Sequence, residues 1–189
     1  MTSPTRSQPR LQFSSCCGVR FPQTTVWPRI CPECGNPFWD NPIPVVVILQ
    51  PVINETLRKI GVLLVRRAIH PCLDELALPG GYQEIETWRE AASRELREET
   101  GHIVPPEKFR RHDRYAFESS TTSRQLLLFA ISEEPLFAHN MPAFKPNKEV
   151  SECVVVYEPT NTCFSTHTEA VKEFFRIPWL YQFDSDMEQ

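Results

Sequence analysis

The sequence predicts an α/β fold: one principal domain preceded by a small cysteine-bearing segment. Three observations predict it. Short β-branched apolar runs recur along the chain, a well-capped helical stretch stands between two groups of them, and four of the seven cysteines crowd near the N-terminus. With 189 residues and 41% hydrophobic content, a single domain of about 100–150 residues plus an appendage is the expectation.

Residues 1–12 mix Ser, Thr, Pro and Arg without periodicity and read as a flexible tail. Residues 13–41 alternate Cys, Gly, Pro and aromatics; such a segment cannot fill a core but can wrap a metal or pack on a neighbour. The principal domain is expected over 42–180, with a C-terminal tail at 181–189. Its first apolar runs, PVVVILQPV (44–52) and IGVLLVRR (60–67), flank a polar stretch and predict two buried strands joined as a hairpin. RYAFES (114–119), QLLLFAIS (125–132) and ECVVVYE (152–158) repeat the signal. Helices are predicted over 87–100 and 167–176. Residues 133–148, punctuated by Pro135, Pro142 and Pro146, read as a long irregular loop.

A net charge of −4 leaves no basic surface to neutralise phosphates along a polymer, so nucleic acid is disfavoured as a partner. No apolar run approaches the roughly 20 residues of a membrane-spanning helix, and the N-terminus lacks the apolar core of a secretory signal. An odd cysteine count, clustered at one end, suits a metal knuckle in a reducing compartment better than a disulfide framework. A soluble, cytoplasmic protein is the expectation.

The stretch PGGYQEIETWREAASRELREETG (79–101) holds six glutamates. Thr87 and Glu90 form a T-x-x-E capping box, and Gly101 is the residue type that ends a helix in a left-handed conformation. Between them Glu95, Glu98 and Glu99 stand at i, i+3 and i+4, so three like charges emerge on one side. A solvated helix would interleave them with bases. A hard divalent cation, which prefers oxygen ligands, would convert their repulsion into coordination.

Gly80, Glu86, then Arg94-Glu95-Leu96-x-Glu98-Glu99-x-Gly101, at five- and seven-residue gaps, resembles the Nudix box, the signature of hydrolases that cleave a nucleoside diphosphate linked to another moiety. The final box position, usually aliphatic, is His102. The resemblance is strongest over 42–101. It implies an α/β/α sandwich with a mixed sheet. It further implies that Glu95, Glu98, Glu99 and the Gly80 carbonyl hold Mg²⁺ or Mn²⁺, that Arg94 fixes the carboxylates, and that Glu86 reaches the same cluster or pairs with Arg94. Glu98, Glu99 and Arg94 are the expected catalytic residues. Because the family sometimes draws its base from a later loop, Glu149 and Glu152 are further candidates.

Cys31-Pro-Glu-Cys34-Gly is a zinc-knuckle sequence. Its partner reads Ser14-Ser-Cys16-Cys17-Gly18, with serine at the first ligand position. The layout is similar to the N-terminal zinc ribbon of Nudix enzymes such as NADH, FAD and ADP-ribose pyrophosphatases. Cys17, Cys31 and Cys34 are the candidate Zn²⁺ ligands, with Cys16 or Ser14 near the fourth position. The alternative is a degenerate ribbon held by Phe13, Trp27, Phe38 and Trp39. An S-Q-P-W-P-F-P segment typical of the NADH group is absent, which ranks ADP-ribose or FAD ahead of NADH as substrate; nucleoside triphosphates and capped RNA follow. Tyr115 and Phe117 are candidate base-stacking or core aromatics. A silent Nudix sensor is the competing reading, and a homodimer is left open.

Overall fold

The computed structural model describes residues 12–22, 27–112, 118–120, 125–141 and 143–176. The chain divides between Pro42 and Ile43 into two compact units. In the first, β1 (Arg29–Ile30) and β2 (Pro37–Phe38) pair antiparallel. Phe21 and Phe38 meet edge to face with ring centroids 5.2 Å apart, and the Arg29 guanidinium lies 4.4 Å from the centroid of the Trp27 ring. Phe13 and Trp39, expected among the packing aromatics, are exposed; a two-stranded ribbon offers too little surface to cover them.

The second unit runs β3 (Ile43–Leu49), β4 (Pro51–Asn54), β5 (Lys59–Arg67), β6 (Leu76–Ala77), β7 (Gly80–Tyr82), α1 (Trp88–Thr100), β8 (Phe109–Arg111), β9 (Glu118–Ser120), β10 (Gln125–Ser132), β11 (Leu136–Phe137), β12 (Val150–Val156) and α2 (Ser165–Phe174). One mixed sheet has the order β7-β3-β10-β8, with β9 also on β10; a second has the order β11-β4-β5-β12, with β6 also on β5. β3 and β10 are parallel, as are β4 and β11; the other pairs are antiparallel.

The single strand expected over 44–52 is two strands. The chain breaks at Gln50, whose side-chain amide donates to the carbonyls of Pro51 and Glu134 at 3.0 and 2.8 Å. Proline at 51 has no amide with which to continue a ladder. β3 therefore enters one sheet and β4 the other, where it forms the expected hairpin with β5. The loop expected over 133–148 is partly regular, because β11 fills the edge of β4. Of the strand expected over 114–119 the described part is β9; Tyr115 and Phe117 lie outside the described residues.

Strand alternation explains why the runs read as continuously apolar. Val47, Leu49, Phe129 and Ile131 pack with Ala170, Val171 and Phe174 of α2. Their neighbours Val46, Ile48, Leu128 and Ala130 pack with Ala91, Ala92 and Leu96 of α1. Both faces of the sheet are thus covered by a helix, as in an α/β/α sandwich. α1 begins as its sequence dictates, with the Thr87–Glu90 capping box formed and Gly101 left-handed at φ 78°.

His167 of α2 carries a polar tie into this core. It is 7% exposed, its Nδ1 accepts the Leu78 N–H at 3.1 Å, and its ring packs against Phe129 and Phe164. Burial, with the nearby Arg67 charge, depresses its pKa to about 3. The unfolded chain takes up a proton near pH 6.5 that the folded one refuses, so stability is full above that pH and falls as pH drops toward 3. His167→Asn keeps an acceptor for Leu78. Urea unfolding at pH 7 and pH 5 is expected to show an acid loss in the parent of up to about 1.4 kcal/mol per pH unit more than in the variant; equal slopes would refute the assignment.

Candidate active site

α1 buries Ala91, Ala92 and Leu96 and so sets its glutamates along the edge facing β7. Glu95 and Glu99 are 8% and 6% exposed, whereas Glu98 is exposed. The glycine pair on β7 makes room for them. The Gly80 N–H donates to the Glu99 carboxylate at 2.9 Å. A Cβ on Gly81 would strike the Glu95 carboxylate, and one on Gly80, at φ +154°, would strike the Val46 carbonyl. Glycine is required here by the close approach of strand, strand and helix.

Arg94 gathers the acids. It donates to Glu86 at 2.7 and 3.1 Å, to Glu95 at 2.6 Å, to Glu98 at 3.2 Å and to the Tyr82 carbonyl at 2.8 Å. The hydrogen bond from Arg94 holds Glu86 below the usual carboxylate range, so of the two roles open to Glu86 the geometry favours the ion pair. Burial raises Glu95 against the pull of Arg94. Burial pushes Glu99 up to about 8; the Gly80 N–H opposes the shift, and the charges of Glu95 and Glu149 add to it.

Glu149 and Glu152, equivalent in the sequence, are separated by the fold. The Glu149 charge acts on both Glu95 and Glu99, while Glu152 is paired with Arg66 at 2.8 Å. His102 is buried, with its pKa lowered by that burial. Among the described residues, the sulfurs of Cys17, Cys31 and Cys34 lie within 4.8 Å of one another; no carboxylate trio is drawn that close. Like charge explains the looser set: Glu98 turns out along Arg94 and Glu99 turns in onto Gly80. Two buried carboxylates pushed toward protonation by burial and by neighbouring acids, with a third beside them, are an excess of negative charge that fits a hard divalent cation.

The two cysteine knuckles of the first unit have the same backbone. The Gly35 N–H donates to the Cys31 carbonyl at 3.0 Å, and the Gly18 N–H donates to the Ser14 carbonyl at 2.8 Å; both glycines have φ near 70°. Ser14 therefore occupies the position that Cys31 holds in the other knuckle. It is 3% exposed, and its Oγ lies 3.4 Å from the Cys17 Sγ. Cys17 Sγ is 3.4 Å from Cys31 Sγ and 3.8 Å from Cys34 Sγ. Cys16 points elsewhere and accepts from the Asn36 amide at 3.2 Å. The Cys34 amide aimed at the Cys31 sulfur lowers that thiol to about 6, a ready soft-metal ligand.

The family model for the NUDIX domain matches residues 42–172. The chain belongs to the Nudix family. It is a hydrolase acting on phosphoric anhydrides. Among solved structures, a NUDIX hydrolase from Nitrosomonas europaea is 25% identical with a TM-score of 0.64, over 88% of this chain and 91% of that one. A MutT/nudix family protein from Enterococcus faecalis is 21% identical with a TM-score of 0.53, over 78% and 69% of the two chains. A MutT protein from Methanosarcina mazei Go1 is 21% identical with a TM-score of 0.50, over 72% and 96%. No curated protein matches the chain. No helix among the described residues is long and apolar enough to cross a membrane. Arg94 lies among the glutamates of the box and pairs with Glu86, Glu95 and Glu98. The Tyr82 carbonyl, which accepts from Arg94, and Asn147, whose side-chain amide donates to the carbonyls of Glu98 and Glu99, were not read from the sequence, because each meets the box through backbone groups that leave no spacing signature.

Because the folded pKa of Glu99 is raised, its protonated form contributes stability below about pH 4.5 that is lost as pH rises through 8. In chelator, Glu99→Gln is expected to melt above the parent protein, by a margin that widens from pH 5 to pH 8.5. A constant or reversed margin in scanning calorimetry would contradict the burial of this charge.

Proposed function

We infer that the chain is a Mg²⁺-dependent pyrophosphohydrolase that cleaves the diphosphate of a nucleoside diphosphate linked to another moiety, with ADP-ribose or FAD ahead of NADH. The observation that carries this reading is the pair of buried, mutually repelling carboxylates of Glu95 and Glu99, the first clamped beside Glu98 by Arg94 and the second held by the Gly80 N–H. Glu95, Glu98, Glu99 and the Gly80 carbonyl would hold the ion, and Glu86 would keep Arg94 in place. Held there, a divalent ion would supply charge neutralisation for the diphosphate and a more acidic water. Arg94 orients three of the carboxylates, and Glu149 or one of the box glutamates accepts the proton. Seven free cysteines support a reducing, cytoplasmic setting.

In the same reading Cys17, Cys31 and Cys34 hold Zn²⁺, with the Ser14 Oγ at the fourth position, and residues 13–41 are a zinc ribbon ahead of the hydrolase domain at 42–180. Supporting this, the likeness to the Nitrosomonas europaea structure spans 88% of the chain, more than residues 43–189 alone supply. Ser14→Cys completes four thiolates. Protein purified without chelator is expected to carry about one zinc per chain, and the variant to hold it against a higher chelator concentration. Zinc-free parent protein by elemental analysis would leave a ribbon without metal.

Turnover is tested with ADP-ribose, FAD, NADH, nucleotide sugars and nucleoside triphosphates in Mg²⁺ and in Mn²⁺. Glu98→Gln or Glu99→Gln is expected to lower kcat by about 10² to 10⁴ with the fold intact. Hydrolysis in ¹⁸O-water is expected to label a phosphate of one product and to give two monophosphates from ADP-ribose or FAD. Full activity in both variants, or release of inorganic phosphate alone from a dinucleotide, would sink the reading.

A further inference from the structure

The segment before β12 passes the C-terminal end of α1, and Asn147 sits at the join. Its Nδ2 donates to the carbonyls of Glu98 and Glu99 at 3.0 and 3.4 Å, groups that a helix leaves without internal partners in its last turn. Its Oδ1 accepts the N–H groups of Glu149 and Val150, both at 2.9 Å. The Glu149 carbonyl in turn accepts the Ala68 N–H at 2.7 Å. The backbone is thus held on both sides of an exposed acidic side chain whose charge reaches Glu95 and Glu99. An ordinary Asx turn at a strand start uses the side-chain oxygen alone. The second bond, from Nδ2 back to the backbone of the very glutamates of the box, ties this turn to the site.

We propose that Asn147 is a positioning residue: it locks the loop that bears Glu149 onto α1 and keeps that carboxylate within reach of the Glu95–Glu99 pair. The proposal rests on the hydrolase reading above. In the step it serves, water gives its proton to the Glu149 carboxylate, the water oxygen bonds one phosphorus, and the bridging oxygen leaves on the other phosphate with the bonding electron pair. The assignment also selects between the two later glutamates, since Glu152 is engaged by Arg66.

The test compares Asn147→Ala, Asn147→Asp, Glu149→Gln and the Asn147→Ala/Glu149→Gln double variant in the full chain. With ADP-ribose and Mg²⁺, Asn147→Ala is expected to lower kcat by about tenfold to a hundredfold, with KM nearly unchanged. The double variant should be no slower than Glu149→Gln alone. Asn147→Asp keeps the acceptor but loses the donor, so the amides of Glu149 and Val150 should stay protected from hydrogen exchange while turnover stays as low as in the alanine variant. The same cycle is read without substrate in Mn²⁺ affinity by electron paramagnetic resonance, where either single change weakens binding several-fold and the double change adds nothing; this arm decides the matter if ADP-ribose is not turned over. Parent-like kcat and Mn²⁺ affinity in Asn147→Ala, full rescue by aspartate, or losses that multiply in the double variant would overturn the proposal. If Glu98→Gln is inactive while Asn147→Ala and Glu149→Gln are not, this inference alone fails; if Glu98→Gln is fully active, the hydrolase reading fails.

Discussion

One guanidinium organises the acidic side of this molecule. Arg94 satisfies Glu86, Glu95, Glu98 and the Tyr82 carbonyl at once, and without it those acids would be packed together with no counter-charge. Removing one partner from such a cluster costs far more than the pair itself is worth, because the remaining charges stay partly buried. Arg94 and Glu86 together join α1 to the segment between β7 and the helix, so the ion-pair network is also a structural clamp.

That clamp works only because the packing beneath it is tight. α1 buries two alanines and a leucine, which brings its axis close to the sheet, and Gly80 and Gly81 let β7 pass beside the Glu95 and Glu99 side chains. The other face of the same strands carries α2, where His167 reaches through to the backbone of Leu78, two residues before Gly80. A sheet covered on both faces gives rigid walls to a site whose charges favour expansion.

The first unit meets a related problem with less material. Among its described residues, Phe21 packs edge to face on Phe38 and Arg29 lies over Trp27, and so short a segment cannot build a large apolar core. The convergence of three sulfurs and the buried Ser14 hydroxyl is its other centre of order. Serine is a weaker metal ligand than thiolate, and the matching turn hydrogen bonds of the two knuckles show that the same turn forms around Ser14 as around Cys31.

Local chemistry was legible in the amino-acid order. The capping box and Gly101 set the ends of α1, β-branched runs marked most of the long strands, and the i, i+4 spacing put Glu95 and Glu99 on one buried edge of the helix while Glu98 turned outward, because each of these depends on residues within a few positions of one another. That β3 and β4 enter different sheets was not legible, since the Gln50 amide at the break bonds to Glu134, 84 residues away. Nor was the separation of Glu149 from Glu152, since Arg66 lies opposite Glu152 across the β5–β12 pair, nor the bond that brings Asn147 to the end of α1. By itself the sequence determined which residue types stand at which spacing in the box. Only the tertiary structure decided which are buried, which are paired and which face one another, because burial and long-range charge are properties of packing that no spacing along the chain encodes.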